Sequence, residues 1–189
     1  MKKILSKIIV LIICFTFMNS FCQKKDEQKC ELMIVSENIV FEIDNNDAED
    51  LYKKQLAAYH NDNNEFDFIF YHAVSGEKDK TLRRIYKTDN QWFYTELING
   101  NLSSQKELSI DETQLKTLLV HFKTKGILQN CGLCLHCPTY VSLIKYGNQF
   151  FSYNYSQNIS HLSESELKLI APYKTILDFF RKYNIELTR

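Results

Sequence analysis

Residues 81–108 read TLRRIYKTDNQWFYTELINGNLSSQKEL. Asp89-Asn90 separates the run Leu82–Lys87 from Gln91–Ile98, and Asn99-Gly100 separates Gln91–Ile98 from Leu102–Leu108. Asn-Gly between alternating runs is the strongest short-range hairpin signal, because a type I′ turn needs positive φ at both central residues. The stretch predicts an antiparallel meander, and the rest of the chain must build on that sheet.

Upstream, FDFIFYHAV (66–74) alternates, with Phe66, Phe68 and Phe70 on one face and Asp67, Ile69 and Tyr71 on the other. Aromatic residues on both faces predict a central strand covered on two sides. Before it lie the loop NDNN (61–64) and the run DNNDAEDLYKKQLAAYH (44–60), where Tyr52, Leu56 and Tyr59 at i, i+4, i+7 predict an amphipathic helix. ELMIVSENIVFEI (31–43) is rich in Val and Ile and predicts one or two strands.

Downstream, Ser109-Ile110-Asp111-Glu112 has the form of a capping box. Leu115, Leu118, Leu119 and Phe122 form a stripe behind it, and Gly126 stands where a helix would stop, so a helix is expected from Ile110 to Lys125. A second hairpin, Tyr140–Tyr146 and Gln149–Tyr155, turns at Gly147-Asn148. Ser163-Glu164-Ser165-Glu166 repeats the capping-box form and opens a helical stretch, and Pro172, which has no amide to donate, predicts a break or kink there and a last helix at 173–183. Asn90-Gln91-Trp92-Phe93 and Leu108-Ser109 are echoed by Asn148-Gln149-Phe150-Phe151 and Leu162-Ser163. Tandem hairpin-helix units are one reading of that echo, and shared strand and cap chemistry is the other. The expected fold is α+β: an antiparallel sheet of five to seven strands with two or three helices packed on it.

The 189-residue chain is 44% hydrophobic and 13% aromatic, enough for one sizeable core, with 5 Gly and 2 Pro to break it. Its N-terminus carries Lys2, Lys3 and Lys7 ahead of an apolar run from Ile8 to Met18. That run is too short to cross about 30 Å of hydrocarbon as a helix, so residues 1–22 are expected to be an export signal. The polar stretch 23–30 would then be a tether and 31–189 a single domain.

CQKKDE, from Cys22 to Glu27, resembles the Lys/Asp/Glu-rich surface-export signal of Bacteroidota-type lipoproteins. That resemblance covers six residues and implies lipidation at Cys22 and an outer-membrane, cell-surface location. The other reading is ordinary cleavage after Cys22, with Ser20 and Cys22 as the small residues of the site and a periplasmic product. Removing residues 1–22 takes three lysines from 23 basic residues and leaves 20 against 23 acidic ones, a net charge of −3. Such a chain offers no basic stripe for nucleic acid.

Export leaves four cysteines in an oxidising compartment: Cys30, and Cys131, Cys134 and Cys137 in CGLCLHC. An even count there favours disulfides. A bridge from Cys30 into the cluster would close about a hundred residues, worth about 4.7 kcal/mol in the chain-entropy model, against roughly 2 to 2.5 within the cluster. Sequence does not choose among the three pairings.

Two chemical readings compete with the staples. Cys131-Gly132-Leu133-Cys134 has the C-x-x-C spacing of thiol–disulfide exchange, but the expected elements put it after a helix and before a strand, without a helix N-terminus to activate it. The three clustered cysteines with Cys30 or His136 would make a tetrahedral zinc set, although two separated C-x-x-C pairs are absent. An iron–sulfur pattern begins correctly and then meets Pro138 instead of a fourth cysteine.

H-E-x-x-H, G-x-S-x-G and glycine-rich phosphate loops are missing, and His60, His72, His121, His136 and His161 are scattered. No catalytic residue, metal ligand or cofactor is therefore assigned. The expected role is an exported envelope protein that binds a protein, peptide or glycan, or is structural, its membrane contact limited to a lipid at Cys22. The alternative is a thiol–disulfide or zinc protein acting through Cys131, Cys134 and Cys137. Trp92, Tyr94, Phe151, Tyr153 and Tyr155 are expected to pack under the helices.

Overall fold

Asp89, Asn90, Asn99 and Gly100 all have positive φ, from 49° to 79°, so both turns of the meander adopt the conformation their residues favour. The computed structural model describes residues 31–34, 46–74, 78–122, 126–130, 138–156, 162–185 and 187. In chain order these form β1 (Glu31–Ile34), α1 (Asn46–Asn61), β2 (Phe66–Val74), β3 (Thr81–Thr88), β4 (Gln91–Ile98) and β5 (Asn101–Leu108). There follow α2 (Glu112–Leu119), β6 (Gly126–Asn130), β7 (Pro138–Tyr146), β8 (Gln149–Ser156) and α3 (Glu164–Arg181).

The class is α+β, as the pattern implied. The described strands join one sheet in the order β1-β6-β8-β7-β2-β3-β4-β5, antiparallel at every step except the parallel pair β6 and β8. Strand β2 lies inside this sheet, and Phe66, Phe68 and Phe70 on one face and Asp67, Ile69 and Tyr71 on the other are all withdrawn from water.

The two faces have separate cores. Phe66, Phe68, Phe70, Trp92, Tyr94, Phe151 and Tyr153 pack with Leu115 and Leu119 of α2, with Tyr173, Ile176 and Phe180 of α3, and with Ile185 and Leu187. On the opposite face Tyr52, Leu56 and Tyr59 of α1 cover Ile69, Tyr71, Leu82, Leu97, Val141 and Leu143. The aromatic positions of β4 and β8 described on the first face are thus core, as their alternation suggested.

Four details depart from the sequence reading. Among the described residues the sheet has eight strands, the unforeseen one being β6, whose five residues show no alternation and pair with chain far away in sequence. Helix α2 is shorter than Ile110–Lys125: Asp111, not Ser109, is its N-cap, accepting from the Gln114 amide at 3.0 Å. Gly126 opens β6 instead of ending that helix. Pro172 does not break α3, which runs through it from Glu164 to Arg181. The carbonyl deprived of its partner belongs to Lys168, which is exposed to water, while Ile170, Tyr173, Ile176 and Leu177 are buried on both sides of the proline. Tertiary packing here outweighs an interior proline cost of about 3 kcal/mol.

The capping box expected at Ser163 and Glu166 is present. Glu166 also accepts the backbone amide of Leu32 at 2.9 Å, which ties the edge strand β1 to the start of α3. That amide and the Ser163 hydroxyl hold the Glu166 carboxyl below the usual range.

Burial pushes the phenols of Tyr52, Tyr59, Tyr71, Tyr94, Tyr140 and Tyr153 above their ordinary value. A phenol raised in this way keeps its proton in the folded state after the unfolded chain has lost it. Stability is therefore intact below about pH 10 and falls as the pH rises above it. A titration followed at 295 nm is expected to show these six ionising in one steep step that coincides with loss of near-ultraviolet circular dichroism. A gradual, fully reversible titration of all eleven tyrosines near pH 10 would contradict the buried placement.

Candidate functional site: a clamped polar groove

A recess of about 530 Å³ lies where the loop between α1 and β2 faces the turn between β3 and β4. Asp62, Asn63 and Glu65 form one wall, and Tyr86, Thr88 and Asn90 belong to the other. The register of β2 on β3, with Phe66 opposite Lys87, brings these two segments together.

Nearly every residue of the loop is anchored. The Asp62 amide donates to the Ala58 carbonyl at 2.8 Å, and the Asp62 carbonyl accepts from the Lys145 ammonium. Its carboxylate takes Arg84 Nη2 at 3.2 Å. Asn64 donates to Asp67 Oδ2 at 3.1 Å, and the Glu65 carbonyl accepts the Gly147 amide at 2.9 Å. Glu65 Oε2 accepts from Lys87 Nζ at 3.0 Å. Asn63, in the middle, is exposed.

The anchors rest on two charge clusters. Asp67 is fully buried, and Arg84 reaches it through Nε at 2.9 Å and again through Nη2. The Arg84 guanidinium also lies 4.7 Å from the centroid of Tyr86, whose ring stacks on Phe93 at 5.5 Å. On the other face Lys87 Nζ sits between Glu65 and Glu112, and Glu112 also accepts from Trp92 Nε1 at 3.0 Å. The Trp92 and Lys87 hydrogen bonds hold the Glu112 carboxyl below the usual range, and Glu112, with Glu65, holds the Lys87 ammonium above its own. These charges pair with one another within the walls.

A smaller recess of about 310 Å³ lies at the opposite end of the sheet, lined by His72, Lys78, Asp79, Thr81, Arg83 and Glu96 among others. Arg83 Nε meets Glu96 Oε2 at 3.2 Å, and the Tyr94 hydroxyl donates to the same oxygen at 2.7 Å.

Of the residues singled out from the sequence, Cys22, Cys30, Cys131, Cys134 and Cys137 lie outside the described residues, as do His136 and His161. His60 and His121 are exposed and far apart in the sequence, and the His72 ring lies 4.9 Å from that of Tyr140. Among the described residues no group of three or more His, Cys, Asp or Glu is placed to hold a metal ion, and no helix is long and apolar enough to cross a membrane. The groove was not foreseen. NDNN and Asp89-Asn90 read only as a loop and a turn, and the one available clue is that both are rich in Asn and Asp and border strands that pair.

The chain matches no protein-family model, no curated protein and no solved structure. The α+β sheet and the geometry of the groove are therefore what a functional reading has to build on.

Proposed function

We propose that this chain is an exported cell-envelope domain whose role is binding rather than catalysis, held in shape by disulfides among Cys30, Cys131, Cys134 and Cys137. Its groove takes a neutral, hydroxyl-rich ligand of the glycan class. The observation that carries the reading is the clamped loop: six separate anchors hold Asp62, Asn64 and Glu65, and leave the exposed Asn63 opposite Thr88 and Asn90. A loop already fixed in the free protein loses little further conformational freedom when it binds.

Ligand class follows from charge. Asp62 is paired with Arg84 and Glu65 with Lys87, so apart from the exposed Asp89 carboxylate the walls offer mainly amide and hydroxyl groups. A hydroxylated ligand suits such a surface better than a phosphate or a strongly charged peptide. The export half rests on Lys2, Lys3, Lys7, the apolar run behind them, and Cys22 or Gln23 as the new N-terminus.

The test is titration of the exported protein with a panel of neutral and acidic oligosaccharides, read by amide chemical shifts and calorimetry. A neutral oligosaccharide is expected to perturb residues 62–65 and 86–90, with Asn63→Ala and Thr88→Ala each weakening binding about tenfold at unchanged melting temperature. Failure of every member to bind at millimolar concentration would overturn the glycan reading. Stoichiometric zinc, or a titratable low-pKa thiol, would replace the binding role with the thiol or metal chemistry of the cysteine cluster.

A further inference from the structure

We infer that the smaller recess, at the end of the sheet away from the groove, is a second binding site, which takes a small monocarboxylate on the guanidinium of Arg83. It is independent of the groove and of the glycan reading.

Strand register builds its floor. His72, Thr81 and Ile98 are cross-strand neighbours on β2, β3 and β4, and Arg83 and Glu96 form the next row on the same face. Lys78 and Asp79, just ahead of β3, and Leu187 also line the recess. Its volume, about 310 Å³, falls at the small end of the roughly 300–1,000 Å³ usual for ligand sites.

Arg83 and Arg84 are consecutive in β3 and point to opposite faces, and they differ in what they already hold. Arg84 is spent on two carboxylates: Asp67 takes Nε and Nη2, and Asp62 takes Nη2 again. Arg83, only 13% exposed, has Glu96 as its one ion-pair partner among the described residues, and Glu96 accepts from Nε alone, at 3.2 Å. The Tyr94 phenol also lies beside the guanidinium, and it donates its proton to the same Glu96 oxygen at 2.7 Å. One phenol oxygen cannot accept all four N–H groups on Nη1 and Nη2. Donors so far withdrawn from bulk water call for a partner, and the recess that Arg83 lines is where one fits.

Two parallel N–H groups match the two oxygens of a carboxylate. Charge narrows the class. His72 aside, Lys78 and Arg83 are balanced by Asp79 and Glu96, so a dianion such as phosphate meets twice the repulsion from those carboxylates that a monoanion meets. Asp79 is already held by the Asn99 side-chain amide at 3.0 Å, whereas Lys78 is exposed and can turn toward a ligand. Ile98 and Leu187 supply the apolar part of the lining, which suits a carboxylate with a hydrocarbon body.

The experiment titrates the folded protein with butyrate, acetate, butylamine and inorganic phosphate, followed by amide and arginine side-chain chemical shifts. Butyrate is expected to shift Thr81, Arg83 and Ile98 saturably, with a dissociation constant of about 1 mM. Acetate is expected to bind more weakly, and butylamine and phosphate more weakly still. Arg83→Lys keeps the charge, loses the fork, and is expected to weaken butyrate about tenfold. Lys78→Ala is expected to weaken it about threefold at unchanged melting temperature. No saturable shift at those three residues in tens of millimolar butyrate, shifts confined to residues 62–65 and 86–90, or phosphate binding as tightly as butyrate would each overturn the site. Undiminished binding by Arg83→Lys overturns it too, as does undiminished binding by Lys78→Ala should the arginine variant fail to fold.

Discussion

Replacing Asp67 by alanine is expected to destabilise the fold by about 3–5 kcal/mol, because it leaves the Arg84 guanidinium buried without its main partner. Asp67 is fully withdrawn from water, and Arg84 is nearly so. Asp62 reaches only Nη2 of Arg84 and is itself half exposed, so it compensates little. At this chain length the loss corresponds to a fall in melting temperature of roughly 6–20 °C. Removing both charges together, as Asp67→Leu with Arg84→Met, is expected to restore most of that loss, since an apolar pair of similar volume escapes the desolvation cost. Urea unfolding of the single and double variants measures the difference. A single variant within 1 kcal/mol of the parent would contradict the buried ion pair. The double variant also probes the groove: it removes the Arg84 anchor of Asp62, so it is expected to recover stability without recovering ligand binding.

Phe180→Ala is expected to cost about 3–5 kcal/mol by leaving a cavity where the sheet meets α3. The ring is fully buried, stacked on Phe68 at 5.5 Å and beside Phe66 at 6.0 Å, so it joins the central strand to the last helix. Because the same helix begins at the Glu166 tie to β1, its loosening is expected to raise hydrogen exchange at Leu32 as well. Val120, 75% exposed just after α2, is the control, and Val120→Ala is expected to stay within about 0.5 kcal/mol. Equal effects at both positions, measured by urea unfolding, would contradict the placement of α3 on the sheet.

What could be read from residues alone was local chemistry. The Asp-Asn and Asn-Gly turns, the Ser163 box and the inward set Tyr52, Leu56 and Tyr59 each depend on a handful of neighbouring residues, and all of them appear where those residues require. The misreadings came where distant chain decides. GILQN becomes a strand because β8 runs beside it in parallel. Pro172 stays helical because buried neighbours on both of its sides fix the axis. Asp111 displaced Ser109 as the cap by two residues, a choice between two competent oxygens that local sequence leaves open.

The groove follows the same division. Each of its walls was legible as a loop or a turn, but their meeting depends on Phe66 pairing with Lys87 and on Gly147 reaching Glu65, contacts 21 and 82 residues apart in the chain. The cysteines illustrate the converse. Their number and clustering were plain in the sequence, while all four lie outside the described residues.

Both the ligand and the staples presuppose that the polypeptide reaches an oxidising compartment. The intact mass of the protein recovered from the cell envelope, alkylated once without and once with prior reduction, tests this most directly. The account predicts a chain that begins at Cys22, carrying lipid, or at Gln23, and that gains alkyl groups at Cys30, Cys131, Cys134 and Cys137 only after reduction. A chain that still begins at Met1, recovered from the soluble cytosol with those four thiols alkylated before any reductant is added, would contradict it.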